Sequence, residues 1–227
     1  MKKILVFVII AINVIIGQTS GNPDEIKFPL NSSEDLKLIN VKADVVDYMG
    51  KTGIQISKND GEITGETLVI IPEINFKNGI ITIELTGEPS AEADPQMRGF
   101  VGVAFHVDQT DYSRYKCFYL RPTNARADNQ LRRNHSTQYI AHPEYPWYRL
   151  RKEHNGLYES YVDLVPGEWT KIKIEVADKV AKLYVHNAEQ PSLIINDLKH
   201  EESEGKIALW LHSSTLARYR NLVVTPK

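Results

Sequence analysis

The chain has 227 residues, a formal net charge of −2 and a single cysteine, Cys117. One cysteine excludes an intramolecular disulfide, so a hydrophobic core must stabilise the fold, and this length suffices for one domain. The slight excess of acids also argues against a nucleic-acid-binding protein, because nucleic acid is densely negative. Cys117 lies within an apolar run, which predicts a packed small side chain and not a reactive thiol.

The N-terminus has the pattern of a secretory signal peptide at 1–21. Lys2 and Lys3 precede an apolar run at 4–16, which is too short to span a bilayer but fits the apolar region of such a signal. Cleavage is expected near 17–21, and a retained N-terminal anchor is the less favoured alternative. No other segment is apolar enough to cross a membrane. We therefore predict an exported protein, periplasmic or extracellular, with 22–35 as an N-terminal extension.

From residue 36 onward, apolar and polar residues alternate with period two, which is the pattern of half-buried β-strands. In 170–176, for example, Ile172, Ile174 and Val176 share one face, and Lys and Glu residues separate them. Turn residues such as Pro166-Gly167 stand between the runs. The predicted strands are 36–40, 41–47, 53–57, 67–71, 81–85, 99–107, 115–121, 156–162, 170–176, 181–185, 192–195, 206–211 and 217–224.

About a dozen strands without a long amphipathic helix predict an all-β fold. We expect residues 36–227 to form a single domain, a two-sheet antiparallel β-sandwich of the jelly-roll type. The stretch 122–148 has no strand pattern and is predicted to be a long loop. Loops of this length in compact domains usually carry function or are mobile.

The segment 112–152 concentrates basic and aromatic residues. It contains nine Lys or Arg, two acids and eight of the 20 aromatic side chains. Its net charge is therefore +7, which leaves −9 for the rest of a chain whose total is −2. Arginine supplies planar forks of donors, and Tyr and Trp supply flat apolar faces with polar tips. This combination suits hydroxyl-rich or anionic ligands, so we predict a carbohydrate partner, neutral or acidic.

Trp147 is flanked by Tyr145 and Tyr148, with Pro143 and Pro146 shortly before it, and is expected to form a stiff platform on which sugar rings stack. The nearby arginines are expected to clamp carboxylate or sulfate groups. Two alternatives stay open: the arginines pair with the protein's own acids, or the segment is a protein–protein interface. The predicted ligand-binding residues are Arg121, Arg126, Arg132, Arg133, His135, Tyr139, His142, Tyr145, Trp147, Tyr148 and Arg151.

Five strand-and-turn motifs carry a resemblance to a known fold. They are Phe76-Lys-Asn-Gly79, Gly99-Phe-Val-Gly-Val-Ala-Phe, Pro166-Gly-Glu-Trp169-Thr-Lys-Ile, Lys182-Leu-Tyr-Val-His and Tyr219-Arg-Asn-Leu-Val. Together they resemble the concanavalin A-like lectin/glucanase superfold, and more narrowly the laminin-G-like and 3-keto-disaccharide hydrolase domains of secreted bacterial proteins. The resemblance covers nearly all of the mature chain. It implies the sandwich fold strongly and an activity weakly, because the motifs are structural.

If the chain is an enzyme, the resemblance implies a glycoside hydrolase acting on a disaccharide, a 3-keto-disaccharide or an oligosaccharide. Laminarinase-type members carry Glu-x-Asp-x-Glu on one strand, whereas this chain has Glu92-Ala-Asp94-Pro-Gln96, in which Asp-Pro breaks strand pairing. The acid–base candidates in the predicted loop are His135, His142, Asp128 and Glu144. Further candidates for a carboxylate pair about 5–10 Å apart, in addition to Asp128 and Glu144, are Glu84, Asp108, Glu159 and Asp163. We nevertheless expect each of them to be a solvated strand or loop residue.

No cofactor is predicted. The chain has no cysteine cluster, and His135 and His142 lack the spacing of a helical zinc site. Asp108 and Asp111 are candidates for a structural calcium at a rim loop, but we favour an ordinary polar turn.

Overall fold

A computed structural model describes residues 25–61 and 65–227. The predicted signal peptide at 1–21 lies outside the described residues. Within the described ranges, no helix has the length and apolar character that a membrane span requires.

The described structure is built from β-strands with three short helices. In chain order the strands are β1 (Ile26–Phe28), β2 (Lys37–Ile39), β3 (Val41–Tyr48), β4 (Lys51–Lys58), β5 (Leu68–Phe76), β6 (Gly79–Pro89), β7 (Val101–Val107), β8 (Tyr115–Leu120), β9 (Thr137–His142), β10 (Glu159–Ser160), β11 (Thr170–Ala177), β12 (Val180–Val185), β13 (Leu193–Ile195), β14 (Gly205–Leu211) and β15 (Thr215–Pro226). The helices are α1 (Pro122–Ala125), α2 (Gln130–Arg133) and α3 (Trp147–Glu153).

These strands form two antiparallel sheets. The first sheet has the order β13-β12-β11-β6-β15-β4-β3, and β1 pairs with β15. The second sheet has the order β10-β9-β8-β7-β14-β5-β2. One cluster of buried apolar side chains draws on both sheets, so the chain forms the single-domain, two-sheet β-sandwich that the alternation predicted.

Close contacts identify the face of the second sheet that packs on the first. A Cβ added to Gly87 of β6 would lie 2.8 Å from the Cβ of Val101 in β7, so Val101 points towards the first sheet. Because strand residues alternate, Phe105 points the same way. Its ring centroid lies 6.2 Å from that of Phe118, which in turn lies 5.5 Å from that of Tyr139. This aromatic row fills the core.

Two residues singled out in the sequence are buried. Tyr139 is fully buried, and its hydroxyl accepts a hydrogen bond from the Lys199 backbone N–H at 3.0 Å. Its prediction as a ligand-binding residue was wrong, because its ring faces the other sheet. Cys117 is fully buried, and burial raises the pKa of its thiol, which suits a packed side chain.

The opposite face of the second sheet points away from the core, and we call it the outer face. Tyr119 pairs with Gln138, and Tyr115 pairs with His142. Trp210 lies on the same face, because it pairs with Gly102 and Gly102 pairs with Tyr119. Paired residues share a face, so the outer face presents polar and aromatic side chains where the inner face presents apolar ones.

The prediction that 122–148 is an unstructured loop was wrong. The stretch contains α1, α2 and all of β9. β9 shows no alternation because both of its faces are covered, and its polar side chains are satisfied internally. Thr137 donates to the Ser160 carbonyl at 3.1 Å, and Gln138 donates to the Tyr158 carbonyl at 3.0 Å.

Two further boundaries differ from the prediction. In the predicted strand 156–162, only Glu159–Ser160 pairs with β9. In the predicted extension 22–35, Ile26–Phe28 adds a strand against β15. Both are short edge pairings, which a sequence pattern of two or three residues cannot specify.

Adjacent isoleucines on β13 provide a matched test of the core. Ile195 is 1% exposed and Ile194 is 42% exposed. We expect Ile195→Ala to lower the free energy of unfolding by about 2–5 kcal/mol, because it removes buried methylenes and leaves a cavity. Ile194→Ala should cost less than about 1 kcal/mol. Urea denaturation of both variants checks this, and equal costs would contradict the assigned faces.

Candidate functional site

A buried carboxylate organises the arginine-rich part of the chain. Glu159 on β10 is 6% exposed. Arg151 from α3 donates two hydrogen bonds to it, Nε to Oε1 at 2.9 Å and Nη2 to Oε2 at 2.7 Å. Arg121 Nη1 lies 3.6 Å from Oε2, and His135 Nε2 lies 3.2 Å from Oε1. The prediction that Glu159 is a solvated side chain was wrong, because three cationic or donor groups compensate its buried charge.

Arg121 connects this cluster to the outer face. It is 4% exposed, and its Nη2 donates to Tyr119 Oη at 2.8 Å and to Gln138 Oε1 at 3.1 Å. The Trp147 ring contacts both guanidinium groups of the cluster, at 5.8 Å from Arg121 and 4.7 Å from Arg151. These cation–π contacts fix the orientation of a tryptophan that is 44% exposed.

Two shallow depressions of about 530 and 450 Å³ adjoin this cluster and share Leu131, His135 and Asn155. Trp147 and Tyr148 line the first, and Glu159 and Tyr161 line the second. We call the combined surface the Trp147 groove. Its wall exposes Leu131, Trp147, Tyr148 and Tyr161, all between 41% and 67% exposed. The groove thus combines exposed aromatic faces with a polar floor, the composition of sugar-binding sites.

His135 lies at the floor of the groove beside Glu159. Burial lowers the pKa of His135, and the charges of Arg151 and Arg121 act in the same direction, whereas Glu159 opposes them. The imidazole is therefore neutral at pH 7 and donates its Nε2–H to the carboxylate. With a neutral histidine, Arg121, Arg151 and Glu159 together carry a net charge of +1.

Most arginines of the segment pair with the protein's own acids, which was one of the open alternatives. Besides the pairs with Glu159, Arg126 forms a bidentate pair with Asp163 at 2.8 Å for both bonds. Arg149 pairs with Glu153 at 2.9 Å. These guanidinium groups are occupied and are not free clamps. In the described ranges, Arg132 and Arg133 have no carboxylate within 4.0 Å; Arg133 donates to Tyr161 Oη instead.

A second polar cluster lies on the outer face at His142. Glu66, just before β5, lies with its Oε1 3.2 Å from His142 Nε2, and its Oε2 accepts a hydrogen bond from the Tyr115 hydroxyl. Trp210 Nε1 donates to the same hydroxyl at 3.0 Å. His142 Nδ1 lies 2.7 Å from the Ser113 carbonyl. A carbonyl oxygen only accepts hydrogen bonds, so Nδ1 carries a proton. The contact between Nε2 and the Glu66 carboxylate is attractive only when a second proton lies between those two atoms.

The two clusters do not form one carboxylate pair. Glu159 is in register with Gln138, and His142 lies four residues further along β9. Four residues of strand span about 13 Å. Carboxylate pairs of glycosidases lie about 5–10 Å apart, so Glu66 and Glu159 have separate roles.

The remaining candidates lie elsewhere. Glu144 bonds Arg114 at 2.9 Å, and Tyr145 packs on His200 with ring centroids 5.7 Å apart. Both line a third cleft of about 630 Å³ at the end of the sandwich, together with the buried Lys116. That cleft mixes five acids with four Lys or Arg, so its charge selects no ligand class. Neither residue reaches the Trp147 groove.

Lys116 and His106 form the buried floor of this third cleft. Lys116 Nζ lies 3.0 Å from His106 Nδ1. Burial is the main cause that lowers the pKa of Lys116 to about 8 and that of His106 to about 4.

The acidic candidates near the rim act as turn residues. Asp108 accepts the Thr110 N–H at 2.6 Å, and Asp111 accepts the Ser113 N–H at 2.9 Å. Asp128 is exposed in the turn between α1 and α2. Among the described residues, no group of three or more His, Cys, Asp and Glu side chains is arranged to hold a metal ion.

The buried ion cluster makes a quantitative prediction. Glu159→Gln removes a charge that compensates the buried guanidinium group of Arg121 and the partly exposed one of Arg151, and we expect the free energy of unfolding to fall by about 3–5 kcal/mol. Asp163→Asn removes the partner of an exposed arginine and should leave it nearly unchanged. Chemical denaturation of both variants checks this. Equal stabilities of Glu159→Gln and wild type would show that Glu159 does not hold the cluster together.

Comparison with solved structures supports the same fold. A galectin-like protein from Bacillus subtilis superimposes with a TM-score of 0.54 at 13% identity, covering 88% of this chain and 94% of that one. The β-glucanase of Bacillus licheniformis superimposes with a TM-score of 0.51 at 13% identity, covering 92% of this chain and 100% of that one. The carbohydrate-binding module CBM66 from Bacillus subtilis superimposes with a TM-score of 0.51 at 12% identity, covering 84% of this chain and 95% of that one.

At the level of sequence, no curated protein matches the chain. The profile of one family does, over residues 39–225, which include every strand from β3 to β14 and both polar clusters. The motifs that suggested the 3-keto-disaccharide hydrolase group lie inside this match. The chain therefore belongs to the family of 3-keto-alpha-glucoside-1,2-lyase-like domains.

Proposed function

We propose that this protein binds carbohydrate in the Trp147 groove. The observation that carries the proposal is a tryptophan that is 44% exposed and whose ring contacts two guanidinium groups, both paired with one buried carboxylate. Sugar rings stack their C–H faces on such indole surfaces, and fixed polar groups bond the hydroxyls. His135 and the polar groups of the groove floor supply those bonds. The similarity to a carbohydrate-binding module and to a glucanase supports this ligand class.

The rigidity of the platform favours binding. Trp147 is the first residue of α3, and Arg151, one turn later, is fixed by its bidentate pair with Glu159. The indole is thus oriented before a ligand arrives, which reduces the entropy lost on binding. We further propose that the protein acts after export, in the periplasm or outside the cell, and needs no cofactor for binding.

A second candidate function is processing of the bound sugar, and the cluster around Glu66 favours it. Glu66 and His142 are 27% and 29% exposed at their side chains, so both reach solvent. Tyr115 and Trp210 orient the carboxylate from below. A histidine that shares a proton with an oriented carboxylate can take a proton from a substrate or return one. The family name suggests substrates of the 3-keto-glucoside class.

The binding proposal is tested by Trp147→Ala. We expect the affinity for oligosaccharides found on a glycan array to fall at least tenfold, or about 1.4 kcal/mol, because the stacking face is lost. Trp147→Phe should retain part of it. Trp169→Ala, which alters a tryptophan of the first sheet near Tyr48, is the control. Unchanged affinity in folded Trp147→Ala would contradict the proposal.

The processing candidate is tested separately with Glu66→Gln and His142→Gln. We expect product formation from 3-keto- and unmodified disaccharides to fall by about 10²–10⁴-fold, while binding at the Trp147 groove persists. His186→Gln changes an exposed histidine in the turn after β12 and should leave product formation unchanged. If wild type forms no product from any of these substrates, the processing candidate is contradicted and only the binding function remains.

A further inference from the structure

A second positively charged surface lies next to the Trp147 groove. Ten arginines occur in the sequence, and seven of them lie within 4.0 Å of a carboxylate. In the described part of the chain, the exceptions are Arg98, Arg132 and Arg133. Arg133 has the Tyr161 hydroxyl and ring as partners. Arg98 has a single 3.5 Å bond to the Met97 carbonyl, and Arg132 makes no side-chain hydrogen bond to a described residue.

Arg98 and Arg132 both lie next to α1. The Arg98 carbonyl accepts the Thr123 N–H of α1 at 3.3 Å, and α1 packs on α2, which carries Arg132. Burial and the positive charges of Arg132 and Arg121 lower the pKa of Arg98, and Asp94 alone opposes this. Three guanidinium groups therefore lie near enough to repel one another. Of these three, only Arg121 has a carboxylate of a described residue within 4.0 Å, that of Glu159.

The Arg132 guanidinium also has an unmet hydrogen bond. Its Nε is buried and has no acceptor, and an unsatisfied buried donor costs about 1–3 kcal/mol. The side-chain carbonyl of Asn124, a residue that is 5% exposed, is likewise without a donor. The unmet donor and the unmet acceptor are both available to a ligand. An oxyanion accepts from a guanidinium fork and neutralises the repulsion at the same time.

Leu131 and Arg121 connect this surface to the groove. Arg132 follows Leu131, which lines both depressions. Arg121 lies 5.9 Å from the Phe100 ring, two residues from Arg98, and 5.8 Å from the Trp147 ring. We propose that Arg98 and Arg132 form a subsite for an oxyanion substituent, a carboxylate or a sulfate, on a glycan whose neighbouring ring stacks on Trp147. This proposal rests on the proposed binding function and specifies its substrate class as acidic glycans.

The experiment uses the mature protein and four probes at constant ionic strength: galactose, galacturonic acid, inorganic sulfate and chloride. We expect sulfate and galacturonic acid to raise the thermal midpoint relative to chloride and galactose, because they bind the folded state. Arg98→Gln and Arg132→Gln should abolish both shifts. Arg133→Gln is the matched control, since its arginine is adjacent and also lacks a carboxylate, and it should keep them.

In chloride alone, the change in thermal midpoint caused by Arg132→Gln separates a ligand-binding role from a merely structural one, because the two roles predict opposite directions. If the arginines form an anion subsite, Arg132→Gln relieves the repulsion between guanidinium groups and raises the thermal midpoint without ligand. If Arg132 makes a structural contact instead, its loss lowers the midpoint. A sulfate shift without a galacturonate shift indicates sulfated glycans, and the reverse indicates uronic acids; both support the subsite. Absence of both shifts in wild type, or their equal loss in Arg133→Gln, would overturn it.

Failure of the subsite is distinguishable from failure of the proposed function. Neutral oligosaccharides that bind wild type and lose affinity in Trp147→Ala, with no preference for their acidic counterparts, would overturn the subsite and keep the groove. If wild type binds the acidic oligosaccharides about tenfold more tightly than the neutral ones, and Arg132→Gln removes that difference, the groove and the subsite are both supported. Oligosaccharides that bind equally well to wild type and Trp147→Ala would overturn the groove.

Discussion

The candidate binding site depends on one buried charge. Glu159 lies on a strand of two residues, which has little pairing energy of its own, yet it fixes two arginines, a histidine and a tryptophan from three other segments. A buried carboxylate must be compensated because desolvation of a lone ion is costly. The compensation comes from Arg151 of α3 and Arg121 at the end of β8. This electrostatic requirement, added to the apolar packing of the sandwich, holds the helical segment against the sheet and exposes Trp147 in a fixed orientation.

The fold was accessible from the sequence because its main signal is local. In β11, Ile172, Ile174 and Val176 alternate with charged residues, and the structure buries that face against the second sheet. The signal disappeared where both faces are covered. In β9, Gln138 and Thr137 look like loop residues, and only the partners supplied by Tyr158 and Ser160 make them acceptable inside the protein.

The site was only partly predictable for a related reason. The concentration of arginine and aromatic residues in 112–152 predicted a surface in this segment, and Trp147 and Tyr148 are exposed there. The acids that define the arrangement were not recognisable. Glu66 and Glu159 lie in short, weakly patterned segments, and their roles depend on strand register and on a loop reaching across the sheet. Arg121 and Arg126 have the same local sequence character, but one is buried against Glu159 and the other forms an exposed pair with Asp163.

The burial of Arg121 separates two tasks that a single arginine-rich surface would otherwise combine. Its guanidinium bonds Tyr119, Gln138 and Glu159 inside the protein, so the polar floor is part of the folded scaffold. Side chains at the rim, such as Tyr148 and Leu131, are not needed for that scaffold because they are 63% and 67% exposed. Substitutions at the rim are therefore expected to leave the stability of the sandwich nearly unchanged, so the surface of the proposed site can vary on a constant floor.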